Sequence, residues 1–371
     1  MLSMKGRLMR RSSGLGLIAI LLFLPGCSTL SYYSQSIGGH LQLMGQRRPI
    51  TQVLNDPETP ALMKQKLGKL KQIRDFASAK LALPDNNSYR SYAALDRDAV
   101  VWSVVATPEF SIEPKQWCYL VIGCASYRGY FSRQAAQAYA NILKAEGLDV
   151  AVEPIPAYST LGWFDDPVPS TVIDWSEPRI AGLIFHELAH QQLYIKDDSA
   201  FNEAFASLVE EVGVIRWLQG RDDDMLNRWQ LSQQYERQFI ALLLETRQQL
   251  QYLYAQKYAS EQMRQRKAQL FDVLRGRYQQ LKKSWGGYAG FDSWFNRDLS
   301  NAHLASIATY EQWKPAFIRI LSEAGGQLPA FYRASQALGK LPDAERLARL
   351  KILLQDAGWE LNLPTDANVA Q

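Results

Sequence analysis

From Arg221 to Arg275 the chain contains neither glycine nor proline. Those are the two residues that most readily interrupt a helix, so a stretch of this length is constrained to be helical almost throughout. Tyr235, Phe239, Leu243, Leu250 and Tyr254 recur at helical spacing, and Leu270, Leu274, Tyr278 and Leu281 do so again. A break near "YASE" (Tyr258–Glu261) separates the two runs, which predicts a long helical hairpin. Its charges are of mixed sign and read as a solvated outer face.

Other helices are legible by the same rule. Met63, Leu67, Leu70, Ile73, Ala77 and Leu81 mark an amphipathic helix over residues 60–81, with Pro60 at its start. The segment "SRQAAQAYANILKAEG" predicts a helix closed by Gly147, and "NAHLASIATYEQWKPAFIRIL" and "PDAERLARLKILLQ" are helical as well. Between them "AVVWSVVATPEF", "WCYLVIG" and "LDVAVEPIPAYST" are rich in β-branched and aromatic residues, as strands are. A small mixed sheet embedded in many helices is an α+β fold.

The start of the chain reads as an address. Four basic residues precede the apolar run "GLGLIAILLFL", which is too short for the roughly 20 residues that a membrane-spanning helix needs. It fits the apolar core of a secretion signal over residues 1–26. The following "LPGC" resembles a bacterial lipoprotein processing box, which implies acylation of Cys27, and Ser28 after it implies the outer membrane, facing the periplasm. Residues 27–371 then form one domain: a polar tether and N-terminal helices (27–95), the sheet and central helices (96–217), and a helical part (218–371). The tether "STLSYYSQSIGG" leads to His40, expected to be exposed.

Removing the signal also removes the charge excess. The full chain has 41 basic and 37 acidic residues, and Lys5, Arg7, Arg10 and Arg11 all lie in the signal. The remainder is formally neutral, which gives no electrostatic support to nucleic-acid binding. Cys118 and Cys124, an even pair in an exported chain, are expected to form a disulfide.

The chain has four histidines, and two of them sit in "LIFHELAHQQ". On a helix His186 and His190 lie one turn apart on one face, where two imidazoles can bind one zinc ion. Glu187 falls on the same broad side and is placed to act as general base. A catalytic zinc usually takes a third protein ligand. The best candidate is Glu203, on a second helix that begins "AFNEAFASLVEE" behind a cap at Asp198 or Ser199.

This combination resembles the gluzincin metallopeptidases, and "AYSTLGWFDDP…FHELAHQ…DSAFNEAFASLVEE" is similar to a family of bacterial zinc aminopeptidases. The resemblance implies a zincin-like core, zinc on His186, His190 and Glu203, and Glu187 polarising water. In many gluzincins an acidic residue four positions after the ligand glutamate orients the first histidine. Here that position is Ser207, so Glu210, Glu211, a distant carboxylate or nothing takes the role.

Further site residues follow more loosely. His303 and Tyr310 lie seven apart, on one helix face, and either can donate a hydrogen bond to an oxyanion. "AYSTLGWFDDP" occupies the place of the edge strand that zincins often present to a peptide. There Gly162 gives a substrate room, Tyr158 or Trp163 walls a pocket, and Asp165 or Asp166 holds a free amine. The expected activity is a lipid-anchored zinc aminopeptidase acting on peptides or proteins. Two alternatives stay open: a zinc endopeptidase, and a non-catalytic envelope scaffold with a structural zinc.

Overall fold

The computed structural model describes residues 26–119, 123–305, 307 and 313–355. The expected signal therefore lies almost wholly outside the described residues, as do Tyr310 and the Cys27 side chain. No helix among the described residues is long and apolar enough to cross a membrane.

The chain opens with helix α1 (Gly26–Gly45), strand β1 (Arg47–Pro49), α2 (Ile50–Asn55) and α3 (Ala61–Leu81). Strands follow: β2 (Ser91–Ala93), β3 (Val101–Pro108), β4 (Trp117–Tyr119), β5 (Gly123–Ala125) and β6 (Arg128–Tyr130). Helix α4 (Arg133–Ala145), β7 (Leu148–Ile155) and β8 (Val168–Pro169) complete the β-containing part. The central pair α5 (Glu177–Gln192) and α6 (Ser199–Leu218) comes next, then α7 (Asp223–Tyr254) and α8 (Ser260–Ser284). Last are α9 (Asp292–Phe295), α10 (Asn301–Ala305), α11 (Lys314–Glu323), α12 (Leu328–Gly339) and α13 (Asp343–Gln355).

The fold is α+β, with its strands divided rather than gathered in one sheet. β3 is central to an antiparallel sheet of order β6-β3-β7, and β2 lies between antiparallel β1 and parallel β8. β4 and β5 form a hairpin in which Cys118 and Cys124 stand opposite each other and are joined by a disulfide. Helix α4 covers the β3 sheet through Ala136, Ala140 and Leu143.

The main core is built around α5 and α6. Phe185, Leu188, Phe201, Phe205 and Val212 pack against Leu67, Leu70 and Leu81 of α3 and against Phe317 and Phe331 from α11 and α12. This explains why the sequence of α6 is apolar on most of its circumference: it is enclosed by other helices. The predicted hairpin is α7 and α8, broken at residues 255–259, with a separate core containing Leu243, Leu250, Phe271, Leu274 and Tyr278.

Two expectations are corrected. The segment read as a polar tether is helix α1, which packs on the sheet: Tyr32 stacks on Tyr119, and the Phe131 amide donates to Gln35 Oε1. His40 accordingly sits against Phe164 and Tyr158, with burial lowering its pKa before the nearby Arg47 adds to the effect. The segment "AYSTLGWFDDP" is a loop, not an edge strand. Strand β7 stops at Ile155, and the positive φ angles of Leu161 (55°) and Gly162 (84°) turn the chain back on itself.

Candidate metal centre

Helix α5 starts behind Ser176 with proline in its first turn, and the loop after Gln192 is only six residues long. Asp198 caps α6 by accepting from the Phe201 amide, 3.1 Å. Asn202 then closes the loop from within: its Oδ1 accepts from the Ile195 amide and its Nδ2 donates to the Ile195 carbonyl, both at 2.7 Å. This is the structural role of the asparagine in the Asn-Glu pair. It satisfies buried backbone groups and fixes the turn that delivers the next residue, Glu203.

The two helices run antiparallel, as their partners show in opposite order. Trp217 Nε1 donates to Glu177, Gly182 faces Glu210, and the two histidines face Glu203. His186 Nε2 is 3.1 Å from His190 Nε2 and 3.2 Å from Glu203 Oε2, and His190 Nε2 is 3.6 Å from Glu203 Oε1. The ligand atoms of these three residues all lie within 4.8 Å of one another. Tetrahedral zinc with bonds of about 2.0–2.1 Å would hold its ligand atoms roughly 3.3 Å apart. The observed separations bracket that value, so the donor set fits the ion. It numbers three protein groups among the described residues.

Electrostatics agree with the geometry. Burial acts to raise the Glu203 carboxyl, but hydrogen bonds with His186 and His190 outweigh it and hold the pKa down at about 2. Burial likewise opposes a charged His186, while its bonds to Glu203 and Glu210 lift it well above the usual imidazole range. The same site therefore attracts positive charge strongly.

Glu210 settles which residue orients His186. Its Oε2 lies 3.0 Å from His186 Nδ1, two helical turns beyond Glu203 on the same face of α6. Glu211 is engaged elsewhere, 2.9 Å from Lys314 and 3.9 Å from Arg237. Glu210 reaches the ring because position 182 has no side chain: a Cβ there would stand 2.8 Å from Glu210 Oε1. We expect Gly182→Ala to displace that carboxylate and weaken metal binding by about 10- to 100-fold, the usual effect of losing a ligand's supporting partner. Glu210→Ala should match it when zinc affinity is titrated. Equal affinity in Gly182→Ala and the native chain would disprove the link.

The remaining sequence candidates are distributed unevenly. Glu187 is half-buried on α5 beside His186, and its charge is felt by Tyr89 and Asp166. Asp166 is buried, and both its oxygens are engaged by Thr160, one by the amide at 2.8 Å. Burial raises its pKa to about 6 despite those bonds. Asp165 is exposed, as are Gly162, Tyr158 and the 82 % exposed Trp163. This loop meets the metal helix at its end, where a Cβ on Gly162 would lie 3.3 Å from Gln191. His303 has different company: its Nδ1 accepts from the Ser300 amide, its Nε2 is 3.7 Å from Glu153, and its ring packs beside Trp294. Burial first, then Arg297, lowers its pKa to about 4.

Two tyrosines outside the sequence candidates also flank the group. Tyr194 sets its ring at 6.4 Å from His190, and the Tyr127 phenol is pushed up by burial and then by Glu203. Tyr194 follows the His190 turn directly, so proximity in sequence was an available signal; Tyr127 arrives from the hairpin side and offered none.

An α+β fold that converges three metal-competent donors from two antiparallel helices is the class this geometry defines. The chain belongs to the family described as "Putative aminopeptidase", whose model matches residues 31–350, and this supports a peptidase function. No curated protein and no solved structure matches the chain.

Proposed function

We propose that the protein is a zinc-dependent aminopeptidase in which His186, His190 and Glu203 hold the metal. The observation that carries this reading is the convergence of those three residues at separations suited to zinc. A zinc ion in that site would supply Lewis acidity, lowering the pKa of water to about 7 and polarising a peptide carbonyl.

The chain's own residues supply the rest. Glu187, next to His186 on α5, takes the proton from the attacking water and delivers it to the departing amine. Glu210 accepts from Nδ1–H of His186, which fixes the tautomer and turns Nε2 toward Glu203 and His190. Asn202 holds the loop that sets the distance between the two helices. Acylation at Cys27 would anchor the chain to the outer membrane and leave α1 to hold the domain beside it.

Family membership supports exopeptidase action; the donor set alone does not distinguish it from endopeptidase action. Zinc analysis of the full chain, together with paired peptides that differ only in N-terminal acetylation, tests the proposal. We expect near-stoichiometric zinc and cleavage of the free-amine peptide alone. Equal cleavage of both would assign an endopeptidase, and a chain that retains no zinc would overturn the proposal.

A further inference from the structure

A cleft of about 330 Å³ lies between α6 and α7 and reaches His186, Ser207 and Glu210. Ser207 is one helical turn beyond Glu203 on the same face of α6, so the cleft adjoins the metal group directly. Glu210 is held at His186 Nδ1, and Ser207 presents a small side chain to the wall of the cleft.

The walls indicate what enters. Trp229, Ile240 and Leu243 line the α7 side, and Trp294, packed on Phe239 of the same helix, adds a further aromatic ring to the lining. The charged groups are engaged with one another or with the site: Glu211 with Lys314 and Arg237, Glu236 with the charge of Arg179 and an amide hydrogen bond from Gln233, and Glu210 with His186. Such a cavity offers apolar surface and little uncompensated charge, which favours an uncharged, bulky group. Its volume is at the lower end for ligand pockets, the scale of one large side chain rather than an extended peptide.

The geometry points to this cleft as the specificity pocket for a bulky apolar side chain next to the scissile bond, aromatic or branched aliphatic. This deepens the zinc-peptidase proposal and rests on His186 being a metal ligand. The test is a binding measurement, independent of turnover, on the zinc-loaded full chain carrying Glu187→Gln. Hydroxamates with a benzyl, isobutyl or methyl side chain serve as probes. We expect the benzyl and isobutyl compounds to bind at least about 10-fold more tightly than the methyl compound. Ile240→Trp and Gln233→Trp, which fill the cleft from α7, should each reduce that preference to less than about two-fold while the chain keeps its zinc. Leu231→Trp, at an exposed position of α7 that does not line the cleft, should keep it.

A size preference that survives both cleft-filling variants would overturn the pocket, as would zinc-loaded chain that binds all three probes equally or none. Those results leave the zinc assignment standing. Failure of the chain to hold zinc would overturn both readings.

Discussion

Replacing Glu187 with glutamine should leave zinc bound and lower kcat for peptide hydrolysis by about 10²- to 10⁴-fold, the usual contribution of a positioned general base. The amide has the volume of the carboxyl, and the contacts of His186 and His190 run to each other, to Glu203 and, from His186, to Glu210, so the ligand geometry should persist. What is lost is a group able to accept a proton. Its charge also raises Asp166 and Tyr89, after burial in each case, so both should shift downward in the variant. Steady-state rates alongside metal analysis provide the check. Hydrolysis at the native rate by zinc-loaded Glu187→Gln chain would remove Glu187 from the reaction.

The second large effect is expected at Arg74, on α3, far from the motif in sequence. Arg74 is fully buried, and burial lowers its pKa to about 10, which still leaves it charged at neutral pH. Its guanidinium donates to the carbonyls of Ser88 (2.8 Å), Pro84 (2.9 Å) and Asn86 (3.0 Å) and to Ser78 Oγ (2.7 Å). The loop it gathers then reaches the metal helix, where Asn86 Nδ2 donates to Gln191 Oε1 at 2.7 Å. Arg74→Leu leaves several buried carbonyls without donors, and we expect a loss of about 3–5 kcal/mol in urea unfolding. Arg74→Lys should recover only part of it, because an ammonium cannot reproduce the planar fork. A loss below about 1 kcal/mol would show that water or neighbouring donors replace the guanidinium.

These two residues differ in how readily the sequence reveals them. Glu187 stands in a motif whose spacing matches a helical turn, so its neighbours follow from local geometry. Arg74 is one of many basic residues on an amphipathic helix, and only the path of the loop from Pro84 to Ser88 encloses it. Asp165 and Asp166 show the same contrast. As a sequence, "DDP" offers two carboxylates to a ligand; in the structure one is exposed and the other is buried under Thr160.

By itself the sequence determined the α+β class, the helical hairpin and the disulfide pair, and it named His186, His190 and Glu203, which the structure brings together as a group able to hold a metal. Each depends on neighbours within a turn or two, or on a chemical pairing rule, and needs no knowledge of distant contacts. Tertiary structure alone decided that Glu210 orients His186, that α1 packs instead of trailing, and that Ser207 opens onto a cleft. Those outcomes depend on how closely α5 and α6 approach. Gly182 and Gly213 permit that approach, since a Cβ at either would clash with the facing helix. Helical period reports which face a side chain occupies; the depth at which two faces meet is set by packing across the interface.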